Sequence, residues 1–222
     1  MLTHHHVDHV LGAQVFEDCE IISSKKTLEL MKKQEKDWSG EKLAERIKNN
    51  QEFAEKWKNL RLVFPTHTFS EKITIYDGKK EIQIIETDGH TEGSAFVYVT
   101  WEKIIIAGDL LFLGTWPYGG DPTANPYLWL KALETMLSFE IRYVIPGHGF
   151  VGTKEDIQNY YTFMKSIITQ IESAIKEGIT KDNLLKQMGI PSVINTETER
   201  NIRFRKLTVE HFYDVIKEEL NK

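Results

Sequence analysis

Cysteine is nearly missing from this sequence: Cys19 is the only one in 222 residues. That excludes an internal disulfide and fits a reducing compartment. With no CxxC partner, Cys19 reads as a buried small hydrophobe rather than a metal-binding thiol. No apolar run approaches the roughly 18 residues that a membrane-spanning helix needs. The opening Met1-Leu2-Thr3-His4 has neither the basic nor the apolar stretch of a secretory signal. Together these absences lead us to expect a cytoplasmic protein. A basic excess is lacking too, since 28 Lys and Arg face 33 Asp and Glu for a net charge of −5. Neither nucleic acid nor an anionic membrane is therefore expected as a partner, and a small-molecule substrate is. Gly-x-Ser-x-Gly is absent as well, so no serine elbow supplies a nucleophile.

What is present is ordinary globular material, 41% hydrophobic and 27% charged, long enough to bury a real core. We read residues 1–222 as a single domain. Val10–Phe16 reads as a short helix, and Glu20–Ser23 as a short strand whose serines cap the next helix. Residues 25–60 carry apolar residues at three- and four-residue spacing (Leu28, Met31; Leu43, Ile47; Phe53, Trp57). They predict two helices broken near Ser39-Gly40, a helical insertion that is a candidate lid. From residue 61 the texture is that of strands. Ile73–Tyr76 and Glu81–Glu86 flank Asp77-Gly78-Lys79-Lys80 as a hairpin. Ser94–Thr100 and Lys103–Ala107 read as strands, Asn125–Phe139 as a helix, and Arg142–Ile145 as another buried strand. C-terminal helices fill 153–222: one from Thr153 to about Glu177, then 180–188 and 208–220.

Three segments share a pattern: Thr87-Asp88-Gly89-His90, Ala107-Gly108-Asp109 and Pro146-Gly147-His148-Gly149. In each, a metal-competent residue stands just past an apolar strand and beside glycine. Such a strand end is rigid, and glycine lets the backbone turn and approach closely. The opening run adds His4, His6, Asp8 and His9 within six residues. On an extended segment His4 and His6 point to one side, and Asp8 and His9 follow in the turn into the helix. A purification tag would be an uninterrupted histidine string, whereas this run continues into Val7-Asp8-His9-Val10. Five imidazoles and two carboxylates suit two borderline cations, zinc first, then iron or manganese.

The run Thr3-His4-x-His6-x-Asp8-His9 resembles the H-x-H-x-D-H signature of the metallo-β-lactamase fold superfamily. Gly89-His90-Thr91-Glu92-Gly93-Ser94, Ala107-Gly108-Asp109 and Pro146-Gly147-His148-Gly149 are similar to its further elements, in the family's order. The resemblance runs from residue 3 to about 175, and implies an α/β (α+β) fold, the four-layer αββα sandwich. It implies that His4, His6 and His90 bind one zinc, Asp8, His9 and His148 a second, and that Asp109 bridges. His5 would point away. Catalysis would run through a water held between the two Zn2+ and made acidic by them, with Asp8 and Asp109 as catalytic carboxylates. The reaction expected is hydrolysis of a small ester, lactone, thioester or amide. The family's persulfide dioxygenases, which use one iron, keep much of the motif and are the alternative. The large inserted domain of its RNA-processing members is not visible.

The family places strands ahead of the signature, and only Met1-Leu2-Thr3 precede it here. We therefore expect an N-terminally truncated chain that is poorly stable alone or forms a homo-oligomer, and a metal-binding domain without turnover is a third reading. Trp116 and Tyr118, in the loop after Asp109, and His67 are the candidate substrate-pocket residues; the aromatics serve equally well to pack the loop down. One prediction needs only the ligand types. Imidazole must be neutral to coordinate, so metal content, measured after dialysis, should fall as pH drops through about 6. Full loading at pH 4 would refute a five-histidine centre.

Overall fold

A computed structural model describes residues 1–49, 54–57, 59–189 and 198–222. Phe53, part of the helical periodicity above, lies outside them. The chain divides into two compact units, Met1–Glu71 and Lys72–Lys222. Among the described residues no helix is long and apolar enough to cross a membrane.

The first unit begins with the histidine run, which leads into a single helical turn, α1 (Val7–Val10), and a 3-10 stretch, Leu11–Phe16. Two three-residue strands, β1 (Ile22–Ser24) and β2 (His67–Phe69), pair in parallel. Ser24 ends β1 and starts α2 (Lys25–Gln34): its Oγ accepts from the Thr27 N–H at 3.0 Å, taking up one of the helix's free donors. Then follow α3 (Gly40–Asn49) and α4 (Ala54–Trp57). The core here is small, formed by Leu2, Val10, Ala13, Ile21 and Met31. Met31 anchors α2 in it, while α3 buries no residue. Cys19 corrects the expectation of a buried thiol. It is exposed, because the chain turns there with the Cys19 N–H on the Phe16 carbonyl.

The second unit is built on a five-stranded sheet, β3 (Lys72–Asp77), β4 (Lys80–Glu86), β5 (Ala95–Val99), β6 (Ile104–Phe112) and β7 (Tyr143–His148), in that spatial order. The first four run antiparallel, and β7 joins β6 in parallel. A parallel neighbour requires a crossover, which α5 (Pro126–Leu137) supplies. Asn125 caps it, accepting from the Tyr127 and Leu128 N–H groups, and Pro126 takes the first helical position, where its missing N–H costs nothing. Two long helices, α6 (Lys154–Lys176) and α8 (Glu199–Leu220), flank the short α7 (Lys181–Gln187). Phe96, Ile105 and Val144 from the sheet, Trp129 and Met136 from α5, Met164 and Ile167 from α6, and Phe212 and Ile216 from α8 share one core.

Two of the boundaries that differ from the sequence reading bear on the site. Helix α8 starts nine residues earlier than expected, because Thr198 caps it through the Asn201 N–H. More consequentially, β6 does not stop at Ala107. Gly108 takes a left-handed φ of 54°, and the register jumps there. Gly108 pairs with Pro146 and Phe112 with His148, so β6 spends four residue steps where β7 spends two. Asp109 to Leu111, three residues opposite Gly147 alone, bulge out of the ladder, as β-bulges do where a side chain is re-aimed.

Candidate metal centre

In the first unit the histidines draw together. The His4 ring lies 4.8 Å from that of His6 and 4.4 Å from that of His9, centroid to centroid. His4 is buried, with Nδ1 3.1 Å from the Thr3 hydroxyl. Asp8 Oδ2 is 3.5 Å from His9 Nε2. His5 is also buried, its ring 4.8 Å from that of His6 and its carbonyl bonded by Gln34. The run is tied at its base, where the Leu2 N–H donates to the Ile22 carbonyl at 2.8 Å.

In the second unit, His90, Asp109 and His148 come together from three separate segments. The loop that delivers His90 is closed by its own polar groups. Asp88 Oδ1 accepts from the Gly93 N–H at 2.6 Å, the Thr91 N–H meets Ser94 Oγ at 3.0 Å, and the Thr87 N–H meets the Ser94 carbonyl at 2.9 Å. Gly89, at φ 116°, lets this loop lie against α5: a Cβ there would stand 2.7 Å from the Trp129 Cα. His90 is fully buried, with Trp129 edge-on at 5.0 Å and Phe112 at 5.8 Å. His148 stacks on Phe112 of this aromatic floor, the two rings 5.3 Å apart and within 22° of parallel.

Asp109 is buried at the centre of this group. Its Oδ2 lies 3.5 Å from His90 Nε2 and 3.5 Å from His148 Nε2. A charge-assisted hydrogen bond would be about 2.7–2.9 Å long. Two donor atoms each about 2.1 Å from a tetrahedral zinc stand about 3.4 Å apart. The spacing therefore fits a carboxylate oxygen that shares cations with both imidazoles better than one that bonds to them. The donor types fit zinc as well. Gly147 makes room for Asp109, since a Cβ there would fall 1.9 Å from its Oδ1.

The candidate pocket residues are placed unequally. Tyr118 is half-buried with its ring 6.3 Å from that of His90, and burial, then the Asp121 charge, raises its phenol. Trp116 is fully buried, edge-on to Phe163 at 5.2 Å, and packs its loop down. His67 is exposed on β2. Four residues in the second unit have roles that the sequence did not assign to them. Phe112 and Trp129 brace the imidazoles, and Asn201 and Thr208 of α8 hold the loop after Asp109. Asn201 Oδ1 accepts from the Thr115 hydroxyl at 2.6 Å and the Trp116 N–H at 3.0 Å. The Thr208 hydroxyl donates to the Pro117 carbonyl and accepts from the Gly119 N–H, both at 2.8 Å.

A family model for the metallo-beta-lactamase superfamily matches residues 1–148 of the 222. The chain belongs to the metallo-beta-lactamase superfamily. Solved structures agree on the fold. A metallo-beta-lactamase family protein from Thermus thermophilus is 17% identical with a TM-score of 0.64, over 98% of this chain and 73% of that one. A metallo-beta-lactamase from Pontibacter korlensis is 19% identical with a TM-score of 0.53, over 73% of this chain. The match spans 66% of the Pontibacter protein's length. The mixed α/β, αββα class expected from the sequence is thus the fold of this superfamily member.

Proposed function

We propose that this superfamily member is a metal-dependent hydrolase of a small ester, lactone, thioester or amide. In this reading His4, His6 and His90 hold one zinc, Asp8, His9 and His148 the second, and Asp109 both. The observation that carries it is the position of Asp109 Oδ2, equally far from two imidazole nitrogens and at the separation of ligands on a common ion. A zinc pair supplies Lewis acidity and lowers the pKa of water towards 7. The chain's own groups supply the rest. Asp109 is presented from the bulge of β6, in the room that Gly147 leaves, and would hold both ions there. Asp8, half-exposed beside His9, is the carboxylate a leaving group can reach, and its oxygen carries the proton across. Trp129 and Phe112 keep the His90 and His148 rings from turning, the outer support that sets ligand orientation.

The test is a hydrolysis panel of nitrophenyl acetate, a homoserine lactone, lactoylglutathione and nitrocefin, with metal content measured in parallel. The parent should carry two zinc ions per chain and turn over at least one member. Asp109→Ala should lower that rate by about 100-fold or more. Equal rates for the two proteins would refute metal-centred hydrolysis, and one iron per chain with oxygen consumption would replace it by the dioxygenase.

A further inference from the structure

Within the second unit, between the loop after Asp109 and the first turns of α6, lies a cavity of about 240 Å³. Four aromatic rings line it: Phe112, Phe150, Tyr160 and Phe163, together with Asp156 and Asn159. The four α6 residues fall at positions i, i+3, i+4 and i+7, a single stripe of that helix. The cavity shares a wall with the metal ligands, because Phe112 also stacks on the His148 ring at 5.3 Å. The backbone reinforces that wall, the Leu113 N–H donating to the His148 carbonyl at 3.0 Å.

Its chemistry is selective. Among the described residues no lysine or arginine lines it, and the Asp156 carboxylate is already committed, accepting from the Thr153 N–H at 2.8 Å and hydroxyl at 3.0 Å. An anionic group would meet aromatic faces and a carboxylate with nothing to neutralise it. One residue of the wall, Tyr160, also carries a polar group. The Tyr160 hydroxyl is buried with no hydrogen-bond partner among the described residues, which is uncommon for a buried donor. Burial, then the charge of Asp109, holds this phenol well above the usual tyrosine range, so it keeps its proton. On size, a cavity of about 150 Å³ admits benzene; this one admits a phenyl ring with a short substituent, or a chain of about six carbons.

We propose that this cavity receives the uncharged acyl or aryl group of the substrate, seating it one aromatic ring away from His148. The proposal rests on the hydrolase reading for its catalytic consequence, though not for binding itself. Two arms separate them. In the first, zinc-loaded protein hydrolyses nitrophenyl acetate, nitrophenyl hexanoate and the nitrophenyl monoester of adipic acid, which has six carbons ending in a carboxylate. The hexanoate should exceed the acetate in kcat/KM by about tenfold, four methylenes being partly buried. The adipate should fall below the hexanoate by about the same factor. In Asn159→Trp, where an exposed lining residue becomes an indole that occupies the space, the hexanoate-to-acetate ratio should collapse towards one. In the second arm, millimolar hexanamide should shift the ring resonances of Phe150 and Phe163 in the NMR spectrum of the parent and not of Asn159→Trp. If no ester is cleaved, the hydrolase reading fails and the hexanamide arm alone decides. Equal hexanoate and acetate rates in the parent, an unchanged ratio in Asn159→Trp, or no hexanamide shift in the parent overturns the cavity assignment.

Discussion

Gly147→Ala is expected to abolish zinc-dependent stabilisation and to lower hydrolysis by about 100-fold. One methyl group would stand 1.9 Å from Asp109 Oδ1, 2.8 Å from the Gly108 carbonyl carbon and 2.9 Å from the Asp109 nitrogen. Turning the Asp109 side chain relieves only the first contact, since the other two are backbone. The two parallel strands must part, or Asp109 must leave its bulge, and either moves Oδ2 away from His90 and His148. Overpacking of this kind costs about 1–3 kcal/mol in the fold. The larger loss lies in metal affinity, because Asp109 is the group assigned to both ions. The measurement is a thermal melt with and without zinc, beside a competitive chelator titration. The parent should melt higher with zinc, since an ion that binds only the folded state stabilises it. Gly147→Ala should not respond. Gly12→Ala is the control, because nothing lies within 4 Å of a Cβ placed there. A Gly147→Ala protein that binds zinc as the parent does would remove Asp109 from the centre.

The same position shows what the sequence made legible. Glycine beside His148 announces a close backbone approach, and the order of the histidines and aspartates carries the superfamily. What Gly147 approaches is not local information: Asp109 lies 38 residues earlier in the chain, and only the register of β6 on β7 joins them. The bulge is hidden for a related reason. Ile104–Phe112 is apolar apart from Gly108 and Asp109, so a strand ending at Ala107 and one running through both residues read alike. The bracing residues were hidden by being ordinary. Phe112 and Trp129 look like core aromatics, which they are, and their second duty to His148 and His90 comes from which ring each happens to face. Asn201 belongs to a charged stretch, Glu199–Lys206, that reads as surface. Its burial comes from the unfilled acceptor needs of the Thr115 and Trp116 donors, a tertiary fact. Cys19 failed in the opposite direction, since the usual burial of a lone thiol yields to a tight turn after a 3-10 stretch.

Trp129 is where fold and site depend on one side chain, and Trp129→Ala should be costly to both. The indole is fully buried in the core of the second unit, and its Nε1–H donates to the Leu110 carbonyl at 2.9 Å. That carbonyl lies within the β6 bulge, so the bond pins the stretch that presents Asp109. Deleting a buried tryptophan costs about 3–5 kcal/mol. At about 2–4 °C per kcal/mol for a chain of this length, the melt should fall by about 10 °C. Trp101→Ala, which removes a half-exposed indole, should stay within about 0.5 kcal/mol of the parent. Trp129→Phe separates the two roles. It retains an aromatic face near His90 while leaving the Leu110 carbonyl buried without its donor, at about 1–3 kcal/mol. If the indole acts on the site through the β6 bulge, Trp129→Phe should lose zinc affinity about as severely as Trp129→Ala despite melting higher. If it acts through the His90 ring, Trp129→Phe should keep most of that affinity. Unchanged zinc affinity in both variants would reduce Trp129 to core packing and leave the orientation of His90 to its own closed loop, Thr87 to Ser94.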